Sequence, residues 1–103
     1  MRTNQIVTTI NSVEIEFDPA KSAENVRLRG LPFEGVVDFD FETAFVWIDR
    51  RKPYPEVRYS ALGMLAGRLH SLVFAETAAG MRVISFRKAN RREVMRYEQA
   101  TRS

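Results

Sequence analysis

The sequence has no cysteine and only one histidine, and these two shortages exclude several catalytic chemistries at once. Without cysteine there is no disulfide framework, no thiolate metal site and no sulfur nucleophile. The one histidine, His70, is flanked by Leu69 and Leu72 in a strand-like run, and no serine stands in a nucleophile elbow. It reads as a structural residue. No cluster of histidines or carboxylates has metal-ligand spacing, so no metal and no cofactor is expected. Glycine is sparse, and Gly63 and Gly67 fall in what reads as a hairpin turn rather than in a phosphate loop between strand and helix. No apolar run approaches the ~20 residues of a membrane helix. Residues 1–10 carry one basic residue among polar ones, unlike a secretory leader. Together these absences lead to the expectation of a cytoplasmic protein.

Positive charge is scarce in the first half and abundant in the second. Residues 1–49 hold four basic and nine acidic side chains, whereas residues 50–103 hold twelve basic and four acidic, so a net charge of +3 divides into −5 and +8. Thirteen of the sixteen basic residues are arginine, the side chain whose planar fork grips phosphate with two parallel hydrogen bonds. A merely solvated basic face would lean on lysine as well. Phosphate, and hence nucleic acid, is the indicated partner. With 103 residues, 45% hydrophobic and 28% charged, the chain suits one globular domain over residues 1–103 with a single core.

Residues 1–12 are compatible with an edge strand or a loose arm. From residue 13 to 17, Val13, Ile15 and Phe17 alternate with Glu14 and Glu16, the period of a half-buried strand. Asp18-Pro19 then starts a helix and Gly30 stops it, with Ala23, Val26 and Leu28 expected to face inward. Pro32 begins a second, shorter helix presenting Phe33, Val36 and Val37. Residues 43–49 form a strand apolar on both faces, and the proline-broken basic segment 50–55 a loop. Residues 57–63, 68–77 and 81–88 read as an antiparallel meander. Asn90 and Glu93 then form a capping box for a last helix that carries Val94 and Tyr97 on one side and Arg92 and Arg96 on another. The fold expected is α+β: an antiparallel sheet with two N-terminal helices and one C-terminal helix, all on one face, the other face left available.

Arginine is the chemistry that remains. In the segment 81–88, strict alternation places Arg82, Ile84, Phe86 and Lys88 on one face and Val83, Ser85 and Arg87 on the other. Arg91 and Arg92 occupy the first turn of the last helix, against the helix dipole, where a bound anion would relieve their repulsion. RNA can be cleaved without metal or histidine if its 2′-hydroxyl attacks the adjacent phosphate while fixed arginines offset the growing charge. Glu56, Glu93, Lys88 and Tyr97 are the candidates for proton transfer, although Glu93 is also a capping residue and Tyr97 could simply pack on the sheet.

Several pieces in order resemble one family: Phe17-Asp18-Pro19-Ala20-Lys21, Asn25 onward to Gly30, Phe33-Glu34, Asp49-Arg50-Arg51, Glu56-Val57-Arg58-Tyr59, the run from Arg82 to Ala89, Arg92-Glu93 and Tyr97-Glu98. In this order and spacing they are similar to the BrnT toxins. The resemblance implies a RelE-like fold, RNA cleavage, and neutralisation by a cognate BrnA antitoxin, itself DNA-binding, in a type II toxin–antitoxin complex that allows higher-order assembly. It singles out Arg58, Arg82 and Arg87 as catalytic, to which the residue reading above adds Lys88, Glu56 and Tyr97. Arg50, Arg51, Lys52, Arg91 and Arg92 become RNA-binding candidates. The chain departs from the family pattern at Phe17, where tryptophan is common, at Leu28-Arg29, where Lys-His is common, and at Lys52, near which a histidine often stands.

Overall fold

The alternation around Ile15 and Phe17 becomes strand β2 (Val13–Phe17), with both of those side chains buried in the core. The computed structural model describes residues 6–10 by their backbone and residues 13–102 in full. Residues 6–10 form β1 (Ile6–Ile10), antiparallel to β2 at the edge of the sheet, so the edge-strand reading holds there. The rest of segment 1–12 lies outside the described residues.

Asp18 caps α1 (Pro19–Arg29), its Oδ1 accepting from the Ala20 N–H at 2.9 Å, and Gly30 closes the helix with φ 67°. Both signals act as expected, but the helix turns a different face inward. Ala23, Val26 and Leu28 are exposed, and Ser22 is the buried residue. The helix is docked by polar groups. Ser22 Oγ accepts from the Phe33 N–H at 2.9 Å and donates to Glu34 Oε1 at 3.1 Å. Asn25 Nδ2 donates to the carbonyls of Leu31 and Phe86, both at 2.8 Å. These bonds satisfy peptide groups that would otherwise be left unpaired beside the core, a demand that apolar periodicity does not register. The next helix is a single 3-10 segment (Phe33–Asp38) that buries Phe33 and Val36.

The sheet has six strands in the order β1-β2-β6-β5-β4-β3, where β3 is Phe45–Ile48, β4 Arg58–Leu65, β5 Arg68–Glu76 and β6 Gly80–Lys88. The antiparallel meander of β4, β5 and β6 is as expected. A purely antiparallel sheet is not, because β2 runs parallel to β6, with Glu14 opposite Gly80 and Glu16 opposite Arg82. A parallel neighbour requires a long crossover, and the passage through both helices and the meander supplies it. Gly63 lies inside β4 rather than in the turn, and a Cβ there would fall 2.5 Å from the Phe39 ring. Its missing side chain is the space that Phe39 fills.

Helices also lie on both faces of the sheet, not on one. Ile15, Phe17, Val36, Leu72 and Phe86 form the core beneath α1 and the 3-10 helix. On the opposite face α2 (Arg91–Thr101) packs along β3, its Tyr97 hydroxyl donating to the Thr43 carbonyl at 3.0 Å. The capping box is complete, with Glu93 N–H donating to Asn90 Oδ1 and Asn90 N–H to Glu93 Oε1, both at 2.9 Å. No helix among the described residues is long and apolar enough to cross a membrane.

Candidate nucleic-acid interface

The face of the sheet turned toward α2 is set by strand register. One row across the sheet runs Trp47, Ser60, Val73, Ser85, and the next runs Phe45, Leu62, Ser71, Arg87. On β6 this arrangement depends on a bulge. Val73 pairs with Ser85 and Phe74 with Val83, leaving Ile84 as an extra residue. Strict alternation would have put Arg82 and Arg87 on opposite faces. The bulge reverses the phase between them, so Val83 and Phe86 both point into the core while Arg82, Ser85 and Arg87 share the other face.

Between this face and α2 lies a cleft of ≈ 550 Å³, within the range of small-ligand sites. Arg58 and Arg87 both line it, from β4 and β6. Arg82 does not. It sits toward β2, where its Nε donates to Glu16 Oε1 at 3.0 Å. Two of the three expected arginines therefore meet, and all three are held by a carboxylate. Arg58 Nε donates to Glu56 Oε2 at 2.7 Å, and its guanidinium carbon lies 4.2 Å from the centre of the Tyr54 ring. Arg87 presents its fork to Glu93 in two bonds of 2.8 Å.

Of the RNA-binding candidates, Arg51 and Arg92 line the cleft, whereas Arg50, Lys52 and Arg91 are exposed outside it. Arg51 grips buried Asp49 through Nε at 2.9 Å and Nη2 at 2.7 Å, and the Tyr54 hydroxyl donates to the same carboxylate at 3.2 Å. Lys88 is exposed beyond the cleft lining, and the Tyr97 hydroxyl is committed to Thr43. Glu56 reaches the cleft only through Arg58.

The cleft contains charge in two states. Hydrogen bonds from Arg87 hold the Glu93 carboxyl below its ordinary value, helped by the Asn90 N–H and the charge of Arg92. Hydrogen bonds from Arg51 do the same to Asp49, more strongly. Arg92 and Arg96, by contrast, line the cleft from α2 with no carboxylate at ion-pair distance among the described residues. Arg96 lies with its guanidinium carbon 4.0 Å from the centre of the Trp47 ring.

Sequence reasoning missed Trp47, Arg96, Asp49 and the serines Ser60, Ser71 and Ser85 as cleft residues. One signal for Arg96 was available: Arg92 and Arg96 are four apart and share a helix face. The serines carried none, because their place depends on register across three strands.

A family model described as "Ribonuclease toxin, BrnT, of type II toxin-antitoxin system" matches residues 17–93, well over half of the chain. The matched span contains Arg58, Arg87, Arg92 and Glu93 and stops short of Arg96. Neither curated proteins nor solved structures gave a match.

Proposed function

This chain belongs to the BrnT family of ribonuclease toxins of type II toxin–antitoxin systems, and from that membership we propose that it cuts RNA in the cleft beneath α2, by attack of a ribose 2′-hydroxyl on the adjacent phosphate. Five arginines on one cleft, two of them without a carboxylate among the described residues, are the observation that carries this reading. The family implies an RNA target and an antitoxin partner, and we assign the latter to a BrnA-like protein. A meander backed by N-terminal helices also fits a RelE-like ribonuclease.

In the reaction proposed here, Arg92 and Arg96 make the first contact with the RNA backbone, since no carboxylate among the described residues holds either at ion-pair distance. A phosphodiester reaching the floor competes with Glu93 for the fork of Arg87. Exchange of that fork onto phosphate leaves Glu93 without the partner that depresses its basicity, which then rises toward that of an ordinary carboxylate. Glu93 takes the 2′-hydroxyl proton, the 2′-oxygen bonds to phosphorus, and the bond to the 5′-oxygen breaks, with water supplying the leaving oxygen's proton. Arg58 and Arg87 stabilise the phosphoryl oxygens as charge accumulates on them.

The test is to measure cleavage of a short RNA in the presence of chelator, with product ends identified. Products ending in 2′,3′-cyclic phosphate and 5′-hydroxyl are expected, with Arg58→Ala and Arg87→Ala each slowing cleavage by about 10²–10³-fold. Arg82→Ala, outside the cleft, should change the rate by less than about five-fold. Cleavage that depends equally on all three, or that leaves 3′-hydroxyl ends, overturns the assignment. The pairing of Arg58, Arg82 and Arg87 with carboxylates favours a second reading, a non-catalytic module that binds nucleic acid or antitoxin. In that case the alanine variants lose affinity and no variant, nor the parent, cleaves.

A further inference from the structure

Phosphate recognition uses the guanidinium groups of the cleft but leaves its indole and its hydroxyls without a task. Ser60 and Ser71 are each only 8% exposed, and both line the cleft. Neither hydroxyl has a hydrogen-bond partner among the described residues. A buried hydroxyl without a partner is destabilising, and native structures rarely tolerate two as neighbours unless something binds them. Their placement is graded. Ser60 stands directly across from Trp47, and Ser71 directly across from Arg87. The floor thus leads from an aromatic ring, over two neutral donor–acceptor groups, to the fork that would hold a phosphate.

Resting on the RNA-binding reading above, we propose that Trp47, Ser60 and Ser71 form a nucleobase subsite. An unstacked base lies on the indole while its edge hydrogen-bonds to the two serine hydroxyls. Phosphate has no use for an indole face, whereas every base has a π-face and a polar edge. Arg96 covers the indole as a planar cation. Being exposed and without a carboxylate partner among the described residues, it moves aside onto the backbone phosphate of the nucleotide whose base replaces it. The serines are the specificity-determining residues of this subsite, and Trp47 supplies stacking that all four bases share.

Trp47 is the only tryptophan in the chain, so intrinsic fluorescence reports this one position. The experiment titrates the protein with short homopolymeric 2′-deoxy oligonucleotides, which lack the attacking hydroxyl and cannot be cut, and with an abasic oligomer of equal length. Each base-bearing oligomer should quench the fluorescence and bind about ten-fold or more tightly than the abasic one. Arg96→Gln, which leaves the indole in place, should retain the quench. A double Ser60→Ala, Ser71→Ala variant should retain it as well, while the spread of affinities among the four bases collapses. Equal affinity for the abasic oligomer, absence of quenching, or an unchanged spread in the serine variant overturns the subsite. Because these oligomers cannot react, a protein that quenches but never cuts RNA refutes the ribonuclease proposal alone, and one that cuts without quenching refutes the subsite alone.

Discussion

The two faces of the sheet are built from the same strands under opposite rules. On the side of α1 the surface is closed: Phe17, Phe86, Ile15 and Leu72 are at most 1% exposed, and aromatic rings meet edge to face. On the side of α2 the corresponding positions of the alternation mix Phe45, Trp47 and buried Leu62 with serines, valine and arginines, and the helix stands off enough to leave a cleft. One face derives its stability from removing apolar area from water. The other holds ion pairs and unpartnered groups that contribute little to stability and are available to a ligand. A residue's importance for folding and for function should therefore separate according to the face it occupies.

The strongest way to probe this separation is to damage the closed face. Phe86→Ala should cost about 3–5 kcal/mol in urea unfolding, because a buried ring is removed and its neighbours collapse only partly around the space. Its neighbour on the chain, Ser85, faces the cleft, and Ser85→Ala should change the unfolding free energy by under about 1 kcal/mol. Comparable losses from the two would mean that the cleft face is also a core.

A smaller effect distinguishes ion pairs that brace the cleft from those that merely decorate it. Asp49 is buried and accepts from Arg51 and Tyr54, so Asp49→Asn should destabilise the protein by about 1–2 kcal/mol at neutral pH, kept low because Arg51 is largely solvated. The sign of its pH dependence follows from the depressed pKa. The charged carboxylate contributes its full stability above the ordinary aspartate value of about 3.9 and loses it as pH falls through the lower folded value. Parent and variant should therefore converge in stability on acidification below about pH 4, measured by thermal unfolding across pH. A gap that stays constant would refute the role given to Asp49.

The smallest effect tests the open arginines. Arg92→Gln should flatten the dependence of log affinity for single-stranded RNA on log salt by about 0.7, the contribution of one phosphate contact, with no loss of stability. An unchanged slope would place Arg92 outside the phosphate path.

Local signals carried much of the fold into the sequence. Asp18, Pro19, Gly30 and the Asn90–Glu93 box act where they were read, because capping involves partners two to four residues away. The meander was equally readable from its alternation and turns. The face of α1 was not, since Ser22 and Asn25 bond to groups contributed from Leu31, Phe33 and, 61 residues away, Phe86. For the site, charge bias pointed to arginine and to phosphate, and Arg58, Arg87, Arg51 and Arg92 do share a cleft. The inclusion of Arg82 failed to anticipate that its partner would come from β2, a strand brought alongside β6 only by the parallel pairing.

By itself, then, the sequence determined the inventory: no thiol, one histidine whose ring lies tilted against Phe86 on the core face, an arginine-rich second half, and the order of strands and helices. Only the tertiary structure decided which arginines meet. One extra residue at Ile84 shifts a period-two pattern out of phase and turns Arg82 and Arg87 to one face, and the side of the sheet taken by α2 sets the cleft over Arg87 while Arg82 is left to Glu16 on β2. Neither is visible locally, because a bulge and a helix's docking face are defined by the strands opposite them and not by the residues on either side in the chain.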